Sequence, residues 1–307
     1  MRTAGAISGA LTYLAVGGVL LLAFLLVEAW VEQPMFELKL FRIPTFVGGS
    51  IAAFAMNGSL FAMFLFLAIY FQEVLQYSSL ETGVRLLAAS LSMLVASLVA
   101  GRVSARIPAR FLIGGGLLVV GVALLLMGGI DENSGWEHFL PGLILGGIGA
   151  GLVNPPLAST AVGVVDFSRS GMASGVNGTF RQLGVSTGVA VLGSTFAVII
   201  SDRLRDGLAG IPGVGDRSDQ LAALVRGGEI DKAAALVPEA QRQTLERLAV
   251  DGYVDGLNAL LTISAGLALV GGLLSLVLIR AADFQTAQQP KAPTPDAASP
   301  AAVAVES

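Results

Sequence analysis

Between Gly146 and Gly193 two apolar arms, GGIGAGLVNPPLAS and MASGVNGTFRQLGVSTGVAVLG, are joined by a short polar break, VVDFSRSG. Both arms are dense in glycine, and the second carries Arg181 and Gln182 well inside an apolar run. In water this much glycine weakens helices, because glycine loses more backbone entropy on ordering than any other residue. In a bilayer it lets two helix backbones approach, and small-xxx-small spacing marks the contact face. Gly171/Gly175 and Gly184/Gly188 have that spacing. An arginine at such depth is costly and should face a bundle interior or an aqueous cavity. The stretch therefore predicts a tightly packed, polar-lined part of a membrane helix bundle.

Composition extends this to the whole chain. Of 307 residues, 54% are hydrophobic and 13% charged, about half the charged share of a soluble domain. Several apolar runs exceed the ~20 residues a helix needs to cross the bilayer. The alternating ten-residue segments of a β-barrel are absent. With no cysteine and one histidine, thiolate chemistry and paired-histidine metal sites are excluded. The net charge of -4 argues against nucleic acid as a partner. No Walker A loop or HExxH segment occurs, so neither a catalytic residue set nor a metal or cofactor site is expected.

Seven spans are predicted, at about 7–27, 45–71, 84–101, 111–130, 139–162, 172–200 and 257–279. Residues 1–43 form a first span and loop, and 44–280 a helical bundle interrupted by a hydrophilic insert at 201–256. The insert reads as a surface helical hairpin. The Pro- and Ala-rich tail 281–307 reads as disordered. Lys and Arg in short loops set orientation. Arg102, Arg106 and Arg110 follow the third span with no acid beside them, whereas Asp131, Glu132 and Glu137 follow the fourth. This alternation predicts an outside N-terminus, a cytoplasmic C-terminus and an extracytoplasmic insert.

Five polar residues inside the spans are candidates to line a substrate path: Asn57, Asn154, Asn177, Arg181 and Gln182. Asn177 precedes Arg181 by one helical turn and shares its face. Arg181 could snorkel to headgroups, hold a conformational interface or contact an anionic group. Mid-membrane asparagines can equally serve as glue between helices. Pro155-Pro156 after Asn154 should break or kink the fifth span, and broken helices often mark transporter sites. Glu73 and Arg85 lie at the outer ends of the second and third spans. They are candidates for interfacial anchoring, or for protonation and gating.

Four segments together are similar to a known family. VEAWVEQPMFELKLFR, YFQEVLQYSSLETGVRLL, GRVSARIPARFLIGGG and GMASGVNGTFRQLGVSTGVAVLG resemble, in order, the C-terminal part of the fourteen-helix drug:proton antiporters of the major facilitator superfamily. The third resembles the C-half copy of the family's cytoplasmic loop motif, with Gly101, Arg102, Arg106 and Arg110 matching and Ser104 where an aspartate is common. The resemblance implies an all-α integral membrane fold: a C-terminal six-helix bundle preceded by one linker helix. It further implies proton-coupled export of amphipathic, often cationic, drugs or metabolites from the cell by alternating access. The proton would be the coupling ion, and the bilayer, a small hydrophobic or cationic substrate and an N-terminal bundle, in cis or in trans, the partners. The N-terminal bundle's motifs are not in this sequence, and no Asp or Glu lies near the middle of any span. A non-transporting remnant or accessory half-subunit is the alternative.

Overall fold

The computed structural model describes residues 16–20, 22–23, 26–27 and 38–284, apart from 133, 210, 212–213 and 215–216. Six described helices are long and apolar enough to cross a membrane: α1 (Pro44–Glu73), α2 (Ser79–Val103), α3 (Ala109–Met127), α4 (Trp136–Gly163), α5 (Ser170–Leu208) and, after two short helices α6 (Ser218–Arg226) and α7 (Ile230–Ala235), α8 (Glu239–Leu278). The predicted first span lies partly outside the described residues. Those of its residues that are described are helical and exposed.

Local sequence explains the helix ends. Pro44 opens α1, where its missing N–H is no loss. Ser78 and Glu81 form a reciprocal capping box at the start of α2. Pro108 and Pro238 precede α3 and α8, each ending the turn before it.

The glycines of α4 decide the packing. Gly147 and Gly151 point at α2, where an added Cβ would run into Ala89 and Ser92 or lie 2.5 Å from the Met93 carbonyl oxygen. Gly142 and Gly149 face α3 instead; a Cβ on Gly149 would lie 2.7 Å from the Gly116 oxygen. Glycine on two sides of one helix thus lets α4 hold two neighbours at backbone contact. Gly184 and Gly188 of α5 do the same against Phe54 and Gly58 of α1. Gly171 and Gly175, which share their spacing, face open space, so spacing alone did not identify the contact.

The predicted break at Pro155-Pro156 is not found: α4 is helical through Pro141, Pro155 and Pro156. The irregular turn lies in α1, which passes through a π-helical segment, Asn57–Phe61, between Pro44–Met56 and Ala62–Glu73. It sits at the close crossing with α5, and a π turn, closed by i→i+5 bonds, is a local widening of the helix that is rare outside such single-turn bulges.

The two longest helices outgrow the bilayer. At 39 and 40 residues, α5 and α8 would each reach about 60 Å against a hydrocarbon core of ~30 Å. Their projecting ends build, with α6 and α7, a small helical cap whose buried residues, among them Leu204, Leu208, Leu221, Val225, Leu245 and Tyr253, continue the core of the bundle. The buried Tyr253 Oη donates to Val225 O at 2.7 Å. Rim pairs Arg203–Asp255 (2.5 Å) and Arg205–Asp219 (2.7 Å) are half-exposed and contribute little. The insert is therefore packed on the bundle through two continuous helices, which is more than a surface hairpin.

The tail also begins differently from expectation. Ala281–Asp283 forms a 3-10 turn, and the Asp283 carboxylate accepts from Thr45 N–H (3.2 Å) and Thr45 Oγ1 (2.7 Å), while Thr45 Oγ1 accepts from Arg280 N–H (2.8 Å). Ile43, the residue before α1, gives no side-chain cap, so Asp283 caps α1 from 238 residues away. A carboxylate at a helix N-terminus is favoured by both the orphan N–H groups and the dipole. Asp283→Ala should cost about 1–2 kcal/mol and lower the thermal midpoint of the detergent-solubilised protein, with Asp283→Asn retaining part of the loss. An unchanged midpoint in the alanine variant would remove the latch from the account.

Candidate functional site

Arg181 stands eleven residues into α5, roughly 16 Å along the axis from its start. Its Nε donates to Asn177 Oδ1 at 3.2 Å, and its Nη1 to Asn154 Oδ1 on α4 at 3.2 Å. Asn154 in turn donates through Nδ2 to Ala150 O at 3.1 Å, which fixes which way its oxygen points. Helical geometry explains the first contact, since Asn177 and Arg181 are one turn apart. The second exists because α4 and α5 pack side by side. Asn177 is buried, and Asn154 and Arg181 are half-buried, so the guanidinium lies between the core and an open face.

The other two candidate lining residues, Asn57 and Gln182, make no hydrogen bond to this group. Asn57, within the π turn, spends its amide N–H on Ala53 O at 2.8 Å and is 8% exposed. It acts in its own helix, as does Ser59, whose hydroxyl donates to Ala55 O. Gln182 is exposed, a 100° step around α5 from Arg181. It shares that outer face with Thr179, Ser186 and Ser194, all exposed. This polar stripe runs along an otherwise apolar span. By contrast α2, the least buried of the six, is open through Val84, Leu87, Leu91, Leu94, Val95 and Leu98.

At the far end of the bundle Glu73 and Arg85 do not meet. The Glu73 carboxylate points at the cap, where a Cβ on Gly228 would lie 2.9 Å from its Cδ. It borders a small cleft with Gln76, Glu229, Asp231 and Lys232. Arg85 lies 3.7 Å over the Tyr77 ring and 5.5 Å from that of Trp136, and donates to Glu81 O at 3.1 Å. This cation–π arrangement ties the start of α2 to the start of α4. Nearby, Asn258 of α8 clasps the Gly128–Ile130 turn: its Oδ1 accepts from Gly129 and Ile130 N–H (2.8 and 3.1 Å), and its Nδ2 donates to Ile130 O (3.0 Å).

At the opposite end Arg102, Arg106 and Arg110 are all exposed, and Gly101 faces open space. Arg110 lies 4.5 Å from the Phe111 ring. It lines a cavity of about 450 Å3 with Ile107, Pro108, Pro156, Ile279 and Phe284. Sequence reasoning missed Asn258, Asp283 and Tyr253. Only Asn258 had a legible signal, as a lone amide at the edge of the last apolar run.

Residues 3–189 match the Major Facilitator Superfamily. Among similar proteins are the puromycin resistance protein pur8 of Streptomyces alboniger, 33% identical over 58% of this chain and 36% of its own length, and the tetracenomycin C resistance and export protein of Streptomyces glaucescens, 27% identical over 87% of this chain and 50% of its own. The multidrug resistance protein Stp of Mycobacterium tuberculosis (strain ATCC 25618 / H37Rv) is 29% identical over 78% of this chain and 46% of its own. The chain thus spans about half or less of the length of these curated relatives. Among solved structures, a bacterial homolog of the human lysosomal transporter Spinster, inward-facing and unoccupied, superposes with a TM-score of 0.60 at 16% identity, covering 82% of this chain and 52% of that one. That likeness concerns the fold. With six apolar spans around glycine contacts and a family match over more than half its length, this chain is a multi-pass membrane protein and belongs to the major facilitator superfamily.

Proposed function

We propose that the chain is the C-terminal six-helix half of a fourteen-helix drug:proton antiporter that exports drugs or amphipathic metabolites across the cell membrane by alternating access. The observation that carries this is the open polar face formed by α4 and α5. Arg181, held by Asn154 and Asn177, lies beside an exposed stripe of Thr179, Gln182, Ser186 and Ser194. Facing lipid, such a surface would be unfavourable. Facing a second bundle, it forms one wall of an aqueous path. Resistance and export proteins among the relatives support the same reading.

In this reading residues 1–43 supply the linker span, 44–280 the bundle with its cap, and 281–307 a tail. The N-terminus is outside and the C-terminus cytoplasmic, and the cap lies outside the cell. Arg102, Arg106 and Arg110 then face the cytoplasm, as positive loop charge favours. The spans of this chain hold no acid near their middle, so the proton-binding carboxylate belongs to the complementary bundle.

The test is efflux of a fluorescent amphipathic dye from cells expressing this chain alone, or together with a complementary N-terminal bundle. Export that requires both supports the half-transporter. Membrane-inserted protein that moves no dye in either arrangement would favour the accessory or remnant reading.

A further inference from the structure

We infer that Arg181 is a recognition site for an anionic group, so that the path prefers amphipathic carboxylates or phenolates over cations. This rests on the half-transporter reading above and adds a substrate class to it, one opposite in charge to that implied by the family resemblance.

The first ground is charge. The segments 44–72, 86–101, 111–127, 139–165, 170–201 and 256–279 contain one ionisable side chain of fixed charge between them, Arg181. Carboxylates pair with cations in the cap, at Arg203–Asp255, Arg205–Asp219 and Lys232–Glu229. Among the described residues no carboxylate lies within ion-pair distance of Arg181. A cation held at membrane depth without a counter-charge is costly, and it lowers that cost by attracting an anion.

The second ground is geometry. A guanidinium has five N–H donors and no acceptor. Asn177 and Asn154 take two of them through neutral amide oxygens, which orient the group without neutralising it. The remaining donors have no protein acceptor among the described residues, and the residue is half-exposed. That is the arrangement suited to a two-point hydrogen bond with a carboxylate, which is stronger than a neutral contact and directional. A cationic substrate at the same place would meet an unscreened like charge.

The third ground is the source of the anion. Lipid headgroups lie at the helix ends, where Arg102, Arg106 and Arg110 are placed to meet them; Arg181 is about three turns further in. An anion reaching it arrives through the polar face, as a solute does.

The experiment uses the full chain in phosphatidylcholine nanodiscs and three probes that share one dansyl group and one alkyl spacer, ending in a carboxylate, a carboxamide or a trimethylammonium. We expect the carboxylate to bind at least about tenfold more tightly than the trimethylammonium, the effect of one charge-assisted contact. That preference should collapse in Arg181→Gln, persist in part in Arg181→Lys, and survive in Arg242→Gln, which makes the same charge change on the exposed cap. Trimethylammonium binding as tight as carboxylate in the unaltered chain, or selectivity that survives Arg181→Gln, overturns the anion preference while leaving the half-transporter reading in place. If none of the probes binds, the anion site is overturned, while the half-transporter reading still stands or falls on the efflux experiment.

Discussion

Alanine at Gly188 should destabilise the bundle, whereas alanine at Gly175 on the same helix should stabilise it. A Cβ on Gly188 would run into the Gly58 oxygen and Cα of α1 and lie 2.9 Å from the Ala62 Cβ, while one on Gly175 meets nothing within 4 Å. The obstacle is backbone, which cannot rotate away as a flexible side chain could, so α1 and α5 must separate. Overpacking of this kind costs about 1–3 kcal/mol. At Gly175 only the helix-propensity gain of about 0.5–1 kcal/mol remains. Valine at Gly188 should exceed alanine in effect, and the π turn at Asn57–Phe61 would lose the close crossing it serves. Thermal unfolding followed by size-exclusion chromatography in detergent reads both signs. Equal shifts at the two glycines would mean that the α1–α5 contact does not limit stability.

Arg181→Ala in the assembled transporter should reduce export about tenfold or more while leaving membrane insertion and yield near normal. The estimate is the loss of a charged hydrogen-bonding group, about 1.5–3 kcal/mol, converted at ~1.4 kcal/mol per decade. The change also removes a donor from Asn154 Oδ1 and Asn177 Oδ1. Asn154 is half-exposed and can accept from water instead, whereas Asn177 is buried, so the thermal midpoint of the variant is read beside its export. Arg181→Lys separates charge from geometry: it keeps the cation but cannot bridge α4 and α5 through a planar fork. Unchanged export in the alanine variant would mean that Arg181 is only a link between two helices.

The match between sequence and structure varies by residue. Arg181 with Asn177 was readable because both lie on one helix, one turn apart. Asn154 completed the group only through the packing of α4 on α5. Asn57 and Gln182 had the same credentials in sequence, yet neither joins the Arg181 group: one bonds to its own helix, and the other stands on the exposed stripe beside it. Glu73 and Arg85, neighbours by span order, are drawn apart by the cap and by the Tyr77 and Trp136 rings. The prolines at 155 and 156 signalled a break that α4 does not make. The actual irregularity in α1 carries no proline; it lies where Gly184 and Gly188 of α5 meet Phe54 and Gly58.

By itself the sequence determined the membrane class and the six later spans, because hydrocarbon thickness converts directly into a length of apolar chain and unpaired backbone cannot cross it. It also fixed the rarity of charge at depth, which singles out Arg181. Tertiary structure alone decided which glycines are contacts, that Asp283 caps a helix 238 residues earlier, and that α5 and α8 continue into a packed cap. These depend on which faces of distant helices meet, and helical periodicity gives each residue an angle on its own helix without naming the partner it will face.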